Sequence, residues 1–412
     1  MVKIPVGVAV LFVVALVVGC TESPEGEAEG TLTVRDSAGV RIVLNHAPAI
    51  DAPWHCWDEP LVTIGTVGGD PEYELFRVRG ALLLRTGEIV VADAGSQELR
   101  FYDREGRHLR TAGGEGGGPG EFRTLYWIGR VGPDSIVSLD FRERRLSYFD
   151  AAGRFARSVR LEASPELSNP EPVGVFADGS LLVRQGSYTV RARPPTRVER
   201  PEEPIYRYRP DGMTVDVLGS FPGYEVTIAP SGSVRGEEVY GRSLRKFGRA
   251  TVFAVSGDRF YVADNASYEI RLYSTDGELG MIVRRDHEPV PVTEADIRLL
   301  RDSILARTTD ADRRRRVERG LDEEPAPPVI FPAYAPEIRV GADGNLWVRE
   351  YTRPGERLAP WSVFSPEGVW KASARIPYGL RVLDVGEDYV LGLHRDDDGV
   401  EYLQLFELRR PS

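Results

Sequence analysis

The sequence has few of the residues that most often build metal, redox and nucleotide sites. Its 412 residues include 2 cysteines and 5 histidines. The histidines are His46, His55, His108, His287 and His394, and they show none of the short spacings typical of zinc ligands. There is no Gly-x-Ser-x-Gly motif, and the glycine-rich stretch 113–120 lacks the Gly-Lys-Ser/Thr of a phosphate-binding loop. We therefore expect no cofactor and no resident metal.

Lysine is almost missing, whereas arginine is abundant. Lys3, Lys246 and Lys371 are the only lysines, and the chain carries a net charge of −11. An acidic surface repels phosphate backbones and anionic lipid headgroups. We expect no nucleic-acid partner and no membrane contact other than an anchor.

The longest uncharged apolar run is short and lies at the N-terminus, from Ile4 to Val18. A membrane span needs about 20 apolar residues, so this run is typical of a signal peptide. It ends in Val17-Val18-Gly19-Cys20, which resembles the lipobox of bacterial lipoproteins. That resemblance implies removal of residues 1–19 and lipidation of Cys20. An ordinary signal peptide or an uncleaved anchor is the alternative.

The residues after the cysteine refine this hypothesis. Cys20 is followed by Thr21 and not by aspartate, which by the same resemblance favours the outer membrane, facing the periplasm. Residues 20–59 are predicted to be a lipidated tether with a possible hairpin at 31–34 and 40–44. Once Cys20 is lipidated, Cys56 is the only thiol, so no internal disulfide is expected.

A module of four short strands recurs between Val78 and Leu408. Its cleanest copy is Gly80–Gly113, with tight turns at Thr86-Gly87-Glu88 and Asp103–Gly106. Repeats of about 40–50 residues holding four strands are the signature of a β-propeller. The predicted blades are 78–113, 125–162, 172–219, 247–285, 336–376, and 380–408 together with 60–65.

The last of these blades takes its fourth strand from the other end of the chain. Residues 381–385, 389–394 and 401–408 supply three strands only, whereas 61–64 is a strand with no module before it. Pairing the two would close the ring and leave no open sheet edge. The predicted fold class is therefore all-β, a six-bladed β-propeller closed by an N-terminal strand.

The module resembles NHL-type propeller repeats. The pattern that begins Val91-Ala92-Asp93 and ends at Gly106 returns from Val262-Ala263-Asp264 to Gly277. Over 60–410 the chain resembles bacterial six-bladed β-propeller lipoproteins. This resemblance implies a fold and a role in the cell envelope, since the group shares no common activity. We expect a monomer.

The long connections are all predicted on one face of the ring. They are 185–204, 286–336, 351–360 and 395–399. The 286–336 segment between blades 4 and 5 is predicted to be a helical insertion, with Thr293 as N-cap and an apolar stripe from Ile297 to Leu305. The Arg313–Arg316 run of this insertion either binds an anionic partner or forms a solvated face neutralised by nearby acidic residues. One elaborated face indicates a binding site, unless the loops merely decorate it.

The ends of the second strands supply the candidate site. Counted from the turns, the residues at this position are Asp93, Asp140, Arg184, Asp264, Arg349 and His394, and Glu350 lies next to Arg349. Around the channel mouth they would form a binding site for a charged ligand. The alternative is that the aspartates accept backbone N–H groups in their own loops.

Function is the least determined property. Our leading hypothesis is a cell-envelope lipoprotein that acts as a binding or scaffold propeller for a protein, peptide or glycan. The alternative is an enzyme: six-bladed propellers similar to this one include metal-dependent lactonases and related hydrolases. Asp93, Asp140, Asp264 and Asn265 could imitate their metal site, although Arg184 and Arg349 place positive charge where a cation needs oxygen ligands.

Overall fold

A computed structural model describes the chain from residue 31 onward. The described residues are 31–56, 59–132, 135–163, 167, 169–186, 196–234, 237–306, 308, 310–323, 325–353 and 355–411. The predicted signal peptide 1–19, Cys20 and the first part of the tether lie outside them, as does the middle of the 185–204 connection. Neither helix in the described part of the chain is long and apolar enough to span a membrane.

The fold is mostly β. The chain begins with four strands, β1 (Leu32–Ser37), β2 (Val40–Asn45), β3 (Trp54–Cys56) and β4 (Val62–Ile64). A 3-10 turn at Pro71–Tyr73 precedes the first repeated group, which consists of β5 (Val78–Leu83), β6 (Ile89–Asp93), β7 (Glu98–Tyr102) and β8 (His108–Gly113). The second group consists of β9 (Leu125–Val131), β10 (Ser135–Asp140), β11 (Arg145–Phe149) and β12 (Phe155–Arg160).

The third group carries an additional small sheet. The strands in this region are β13 (Pro170–Val175), β14 (Leu181–Gln185), β15 (Arg197–Glu199), β16 (Glu202–Tyr208), β17 (Thr214–Pro222), β18 (Val226–Val234) and β19 (Glu237–Leu244). Strands β13, β14, β16 and β17 pair in that order, while β15, β18 and β19 form a separate three-stranded sheet.

Three further groups complete the chain. The fourth is β20 (Thr251–Ser256), β21 (Arg259–Asp264), β22 (Glu269–Ser274) and β23 (Leu279–Arg285). Two helices follow, α1 (Glu294–Ala306) and α2 (Ala311–Glu323). The fifth group is β24 (Ile338–Val340), β25 (Leu346–Arg349), β26 (Leu358–Phe364) and β27 (Trp370–Pro377). The last has three strands of its own, β28 (Arg381–Val385), β29 (Tyr389–Arg395) and β30 (Glu401–Arg409).

In the first two groups the second and third strands are the most buried and the last strand is the most exposed. All five residues of β6 are buried, whereas β12 is almost wholly exposed. The apolar core lies between neighbouring groups: Val90 and Phe101 of the first group pack with Ile136 and Phe149 of the second. The groups are joined internally by tight turns, as at Gly87, whose φ of +88° suits glycine.

The N-terminal segment ties three groups together. Strand β4 pairs antiparallel with β30, Ile64 opposite Leu403, so the predicted pairing of 60–65 with the last module is confirmed. The predicted hairpin is confirmed as β1–β2. Two further pairings were not predicted: β2 lies parallel to β23, and β3 lies between β27 and β30.

A buried asparagine fastens this segment. Asn45 is fully buried at the end of β2, and its Nδ2 donates to the carbonyls of Arg284 and Gly368 at 3.1 and 3.0 Å. Its Oδ1 accepts the backbone N–H of Trp370 at 2.8 Å. Because one side chain satisfies groups of two strand groups, it joins the fourth to the fifth.

The first strands of the groups lie side by side. Strand β5 contacts β9, β9 contacts β13, β13 contacts β20, β20 contacts β24, β24 contacts β28, and β28 contacts β5. Each group runs outward from this centre through antiparallel neighbours. The arrangement is propeller-like.

The helical insertion is confirmed. The N–H of Asp296 donates to Thr293 Oγ1 at 3.3 Å and the N–H of Thr293 to Asp296 Oδ2 at 2.9 Å, which is the predicted capping box. In the segment that returns from α2 to the strands, Phe331 and Tyr334 are buried. The amide of Asn265 donates to the Tyr334 carbonyl at 3.0 Å.

Candidate functional site

The first strands surround a cavity of about 970 Å³. It is lined by parts of β5, β9, β13, β20, β24 and β28, together with Arg184, Tyr224 and Arg349. Cavities of about 300–1,000 Å³ are the usual size of small-ligand sites. The starts of the first strands and the ends of the second strands meet at one mouth, since each such pair is antiparallel.

Glycines let the first strands approach each other and admit one large side chain. A Cβ at Gly80 would lie 2.6 Å from Ile128 Cγ2 of the neighbouring strand. At Gly129 it would lie 2.1 Å from the indole of Trp127, which therefore lies across the glycine on the cavity side. Glycine at 129 is what leaves room for this half-buried tryptophan.

The cavity is lined by many more cations than anions. Its charged residues are Arg79, Arg130, Arg184, Arg339, Arg349, Arg381, Glu337 and Asp384. Three arginines have a close carboxylate partner. Arg130 lies 2.9 Å from Asp384, Arg349 lies 2.9 Å from Glu337, and Arg184 lies 2.8 Å from Glu171.

Two of the remaining arginines, Arg79 and Arg381, have no carboxylate within ion-pair distance among the described residues. Arg381 is exposed and donates to the carbonyl of Val78 at 3.0 Å. Although its side chain reaches solvent, partial desolvation inside the channel, followed by the neighbouring Arg339, lowers the pKa of Arg381 below its ordinary value. Arg79 is exposed and contacts the ring of Tyr126. Both guanidiniums are therefore available to an anionic ligand.

Tyrosines support the arginines of the mouth. The guanidinium carbon lies over an aromatic ring in three pairs: Arg79 with Tyr126 at 5.3 Å, Arg184 with Tyr224 at 5.4 Å, and Arg349 with Tyr378 at 5.3 Å. A cation over a ring is attracted by the negative face of the π system, which restricts its orientation. The arginines are thus held in place while still charged.

Two predicted site residues prove to be structural acceptors. Asp93 is almost fully buried, and its carboxylate accepts the N–H groups of Phe76 at 3.1 Å, Gly95 at 2.7 Å and Ser96 at 3.3 Å. Burial raises the pKa of Asp93 although these bonds oppose the shift. Asp140 accepts the N–H groups of Arg123 at 2.7 Å and Glu143 at 3.1 Å. Neither lines the cavity.

The same role passes to neighbouring residues in the next two groups. The side chain of Gln185 accepts the N–H of Asn169 at 3.3 Å, and that of Asn265 accepts the N–H of Ala250 at 2.7 Å. In each case a polar side chain at the end of the second strand holds the backbone that enters the first. Arg184 and Asp264, the predicted equivalents of Asp93, therefore each lie one residue before the side chain that has this role.

Asp264 and Glu350 take part in other contacts. Asp264 Oδ1 accepts from Arg200 at 2.6 Å and from the N–H of Ala266 at 3.0 Å. Glu350 Oε1 accepts from Tyr268 at 2.6 Å, from Arg285 at 2.5 Å and from Ser362 at 2.6 Å. Burial and this carboxylate raise the pKa of Tyr268. Both acids are thus committed to protein partners.

The predicted ring around the opening is therefore only partly present. Arg184 and Arg349 line the cavity, whereas Asp93, Asp140, Asp264, Glu350 and His394 do not. His394 lies beside Tyr402, with ring centroids 6.4 Å apart. The reason lies in side-chain contacts: Asp93 and Asp140 accept backbone N–H groups, whereas Asp264 and Glu350 accept mainly from other side chains. Contact of these residues with a ligand stays a prediction.

Sequence reasoning missed the arginines of the first strands. Arg79, Arg130, Arg339 and Arg381 each lie in the first strand of a module. Their recurrence in that strand is visible in the sequence, and an innermost strand is where a propeller lines its channel. In the part of the chain that the structure describes, no three His, Cys, Asp or Glu side chains are close enough to hold a metal ion.

Comparison with known proteins gives no family for the chain. No family model and no curated protein matches it. Among similar solved structures, an exported protein from Bacteroides fragilis is 12% identical with a TM-score of 0.46, covering 90% of this chain and 99% of its own. Calcium-binding regucalcin from Agrobacterium tumefaciens is 11% identical with a TM-score of 0.37, covering 88% and 98%.

A third similar structure is virginiamycin B lyase from Staphylococcus aureus. It is 10% identical with a TM-score of 0.36, and the match covers 80% of this chain and 94% of the lyase. Such low identities and scores assign neither a family nor an activity.

Substitution of two aspartates separates a structural role from a ligand role. Asp93→Ala leaves three backbone N–H groups without their acceptor, so we expect the free energy of unfolding to fall by about 2–3 kcal/mol. Asp264→Ala, at a partly exposed carboxylate, should cost less than about 1 kcal/mol. Urea unfolding measures both. Equal losses would contradict the structural assignment of Asp93.

Proposed function

We propose that the chain is a binding propeller of the bacterial cell envelope, whose protein, peptide or glycan partner enters the cavity mouth. The observation that carries this proposal is the mouth itself, where exposed Arg79 and Arg381 face a cavity large enough for a ligand. The long connections predicted on one face, 286–336 among them, leave the strand groups at this same end. They enlarge the surface that a partner can contact.

The proposed architecture is a six-bladed ring closed by the N-terminal strand. Contacts between the last group and the first support closure. Val78 N–H donates to Glu401 Oε2 at 2.8 Å, and Leu83 N–H donates to Asp384 Oδ2 at 2.9 Å. Both acceptors are buried, so these bonds are shielded from water. The N-terminal strand then completes the last blade by its pairing with β30.

A binding role accords better with the site than the metal-dependent alternative. The side-chain oxygens of Asp93, Asp140 and Asn265 accept hydrogen bonds from backbone N–H groups, and Asp264 pairs with Arg200. A divalent cation needs several oxygen ligands converging on one point, and guanidiniums at the mouth would repel it. The hydrolase hypothesis stays untested, and the observations above do not favour it.

The envelope location is proposed from the N-terminal sequence. Residues 1–19 resemble a lipoprotein signal peptide, and Cys20 would carry the lipid that holds the propeller at the outer membrane. The acidic segment after Cys20 would serve as a tether. We further propose that the propeller acts as a monomer, with no cofactor.

Truncation tests the closure. A chain that starts at residue 31 keeps β1 to β4 and should unfold cooperatively, like the full mature chain. A chain that starts at residue 66 loses the strands that pair with β23, β27 and β30, so its transition should become broad and shift to lower urea. Identical urea unfolding transitions for the two chains would contradict the closure proposal.

Substitution of the lipidation site tests the anchor. Cys20→Ser removes the thiol that would receive the lipid, so the protein should move from the membrane fraction to the soluble envelope fraction. Cys56→Ser is the control, because Cys56 is buried in β3 and should not affect membrane association. Unchanged membrane fractionation of Cys20→Ser would show that the apolar segment is itself the anchor.

Photocrosslinking tests the binding site. Tyr378 is exposed beside Arg349 at the mouth, so benzoylphenylalanine at 378 should form a covalent adduct with the partner in the native envelope. The matched control is position 109, because Leu109 is exposed on β8, an outer strand. An adduct at 109 and none at 378 would place the partner elsewhere and contradict the proposal.

A further inference from the structure

The charge of the cavity differs from that of the whole protein. The chain carries a net charge of −11, whereas the cavity lining holds six arginines and two carboxylates. Even with Glu171 paired to Arg184, the arginines outnumber the acids that neutralise them. A cleft of one sign between low-dielectric walls focuses the field on its opening. An anionic ligand would therefore be drawn to the mouth.

The two guanidiniums that have no ion-pair partner lie where the last group meets the first. Arg381 donates to the Val78 carbonyl at 3.0 Å, and Arg79 is the next residue along β5. Arg339 adds a third guanidinium, whose acidic neighbour Glu337 is 3.6 Å away and also pairs with Arg349. Guanidiniums bind carboxylates through two parallel hydrogen bonds, so this cluster suits a ligand with more than one carboxylate.

The backbone at the mouth argues against a peptide ligand. Peptides commonly bind by adding a strand to a sheet edge whose N–H and C=O groups are free. Several of these groups on β5 are already used: Val78 N–H and Leu83 N–H donate to Glu401 and Asp384, and the Val78 carbonyl accepts from Arg381. Arg339 likewise donates to the Val382 carbonyl of β28 at 3.1 Å.

Aromatic side chains between the arginines favour a carbohydrate. Trp127 and Tyr224 line the cavity, both partly exposed, and Tyr378 lies beside Arg349 at the mouth. The C–H groups on one side of a sugar ring carry partial positive charge and pack against the negative face of an aromatic ring. Trp127 brings such a ring to the cavity wall, where the six-membered ring of its indole lies against Gly129.

We propose that the cavity mouth binds an oligosaccharide that bears carboxylates, an oligouronate. Arg79 and Arg381 bind the carboxylates, Arg339 adds positive charge, and Trp127 packs against a sugar ring. This inference rests on the proposed binding function and assigns its ligand class. It involves no covalent step.

Calorimetric titration of the full mature protein tests the inference. The probe is a pentagalacturonate, and its methyl ester is the matched control, with the same sugar backbone and no charge. We expect the acid to bind and the ester to bind at least tenfold more weakly, because a charge-assisted hydrogen bond contributes about 1.5–3 kcal/mol. Raising the salt concentration should weaken binding of the acid only.

Arginine variants locate the site. Arg79→Gln and Arg381→Gln should each weaken binding of the acid by about tenfold, since each removes one carboxylate contact. Arg154→Gln is the control, because Arg154 is 82% exposed in the turn between β11 and β12 and does not line the cavity. Unchanged urea transitions for the variants would exclude unfolding as the cause.

Three results would overturn the oligouronate assignment. They are equal binding of the acid and the ester, equal behaviour of Arg79→Gln and Arg154→Gln, and binding of pentaglutamate without binding of pentagalacturonate. The crosslink at position 378 distinguishes this failure from that of the proposed function. An adduct at 378 without uronate binding would refute the ligand class and leave the binding propeller in place.

Discussion

The structure depends on how the inner edges of the first strands are satisfied. A first strand has a pairing partner on one side only, so its other N–H and C=O groups would remain unpaired at the centre. On β5, Glu401 and Asp384 accept the N–H groups of Val78 and Leu83, and Arg381 reaches the Val78 carbonyl. Side chains of the last group thus complete the edge of the first.

This requirement also explains the charge of the cavity. Carbonyl oxygens need donors, and arginine supplies several in one planar group. Arg130 donates to the Leu83 carbonyl at 2.8 Å, and Arg339 to that of Val382 at 3.1 Å. Fewer acids than arginines line the cavity. The arginines that donate to the backbone carbonyls therefore also give the channel a net positive charge. The scaffold and the proposed ligand site therefore share the same residues.

Prediction from the sequence was more successful for the strand groups than for the direction in which their end residues point. Turns with glycine and alternating apolar residues are local signals, and they located the strand groups and the pairing partner of β4. The predicted site depends on which residue of each module is taken as the end of its second strand. In the third and fourth groups the side chain that accepts the backbone N–H lies one residue later than predicted, at Gln185 and Asn265. Counting residues from the turns does not detect this shift.

The sequence by itself determined the all-β class, the positions of the modules and the helical insertion with its Thr293–Asp296 cap, since each depends on residues close together along the chain. Only the tertiary structure decided which charged side chains line the cavity. Asp93 turns to the N–H of Phe76, whereas Arg79 and Arg381, some 300 residues apart, come together at Val78. Side-chain direction and contacts between distant strands are set by packing, and no local pattern encodes them.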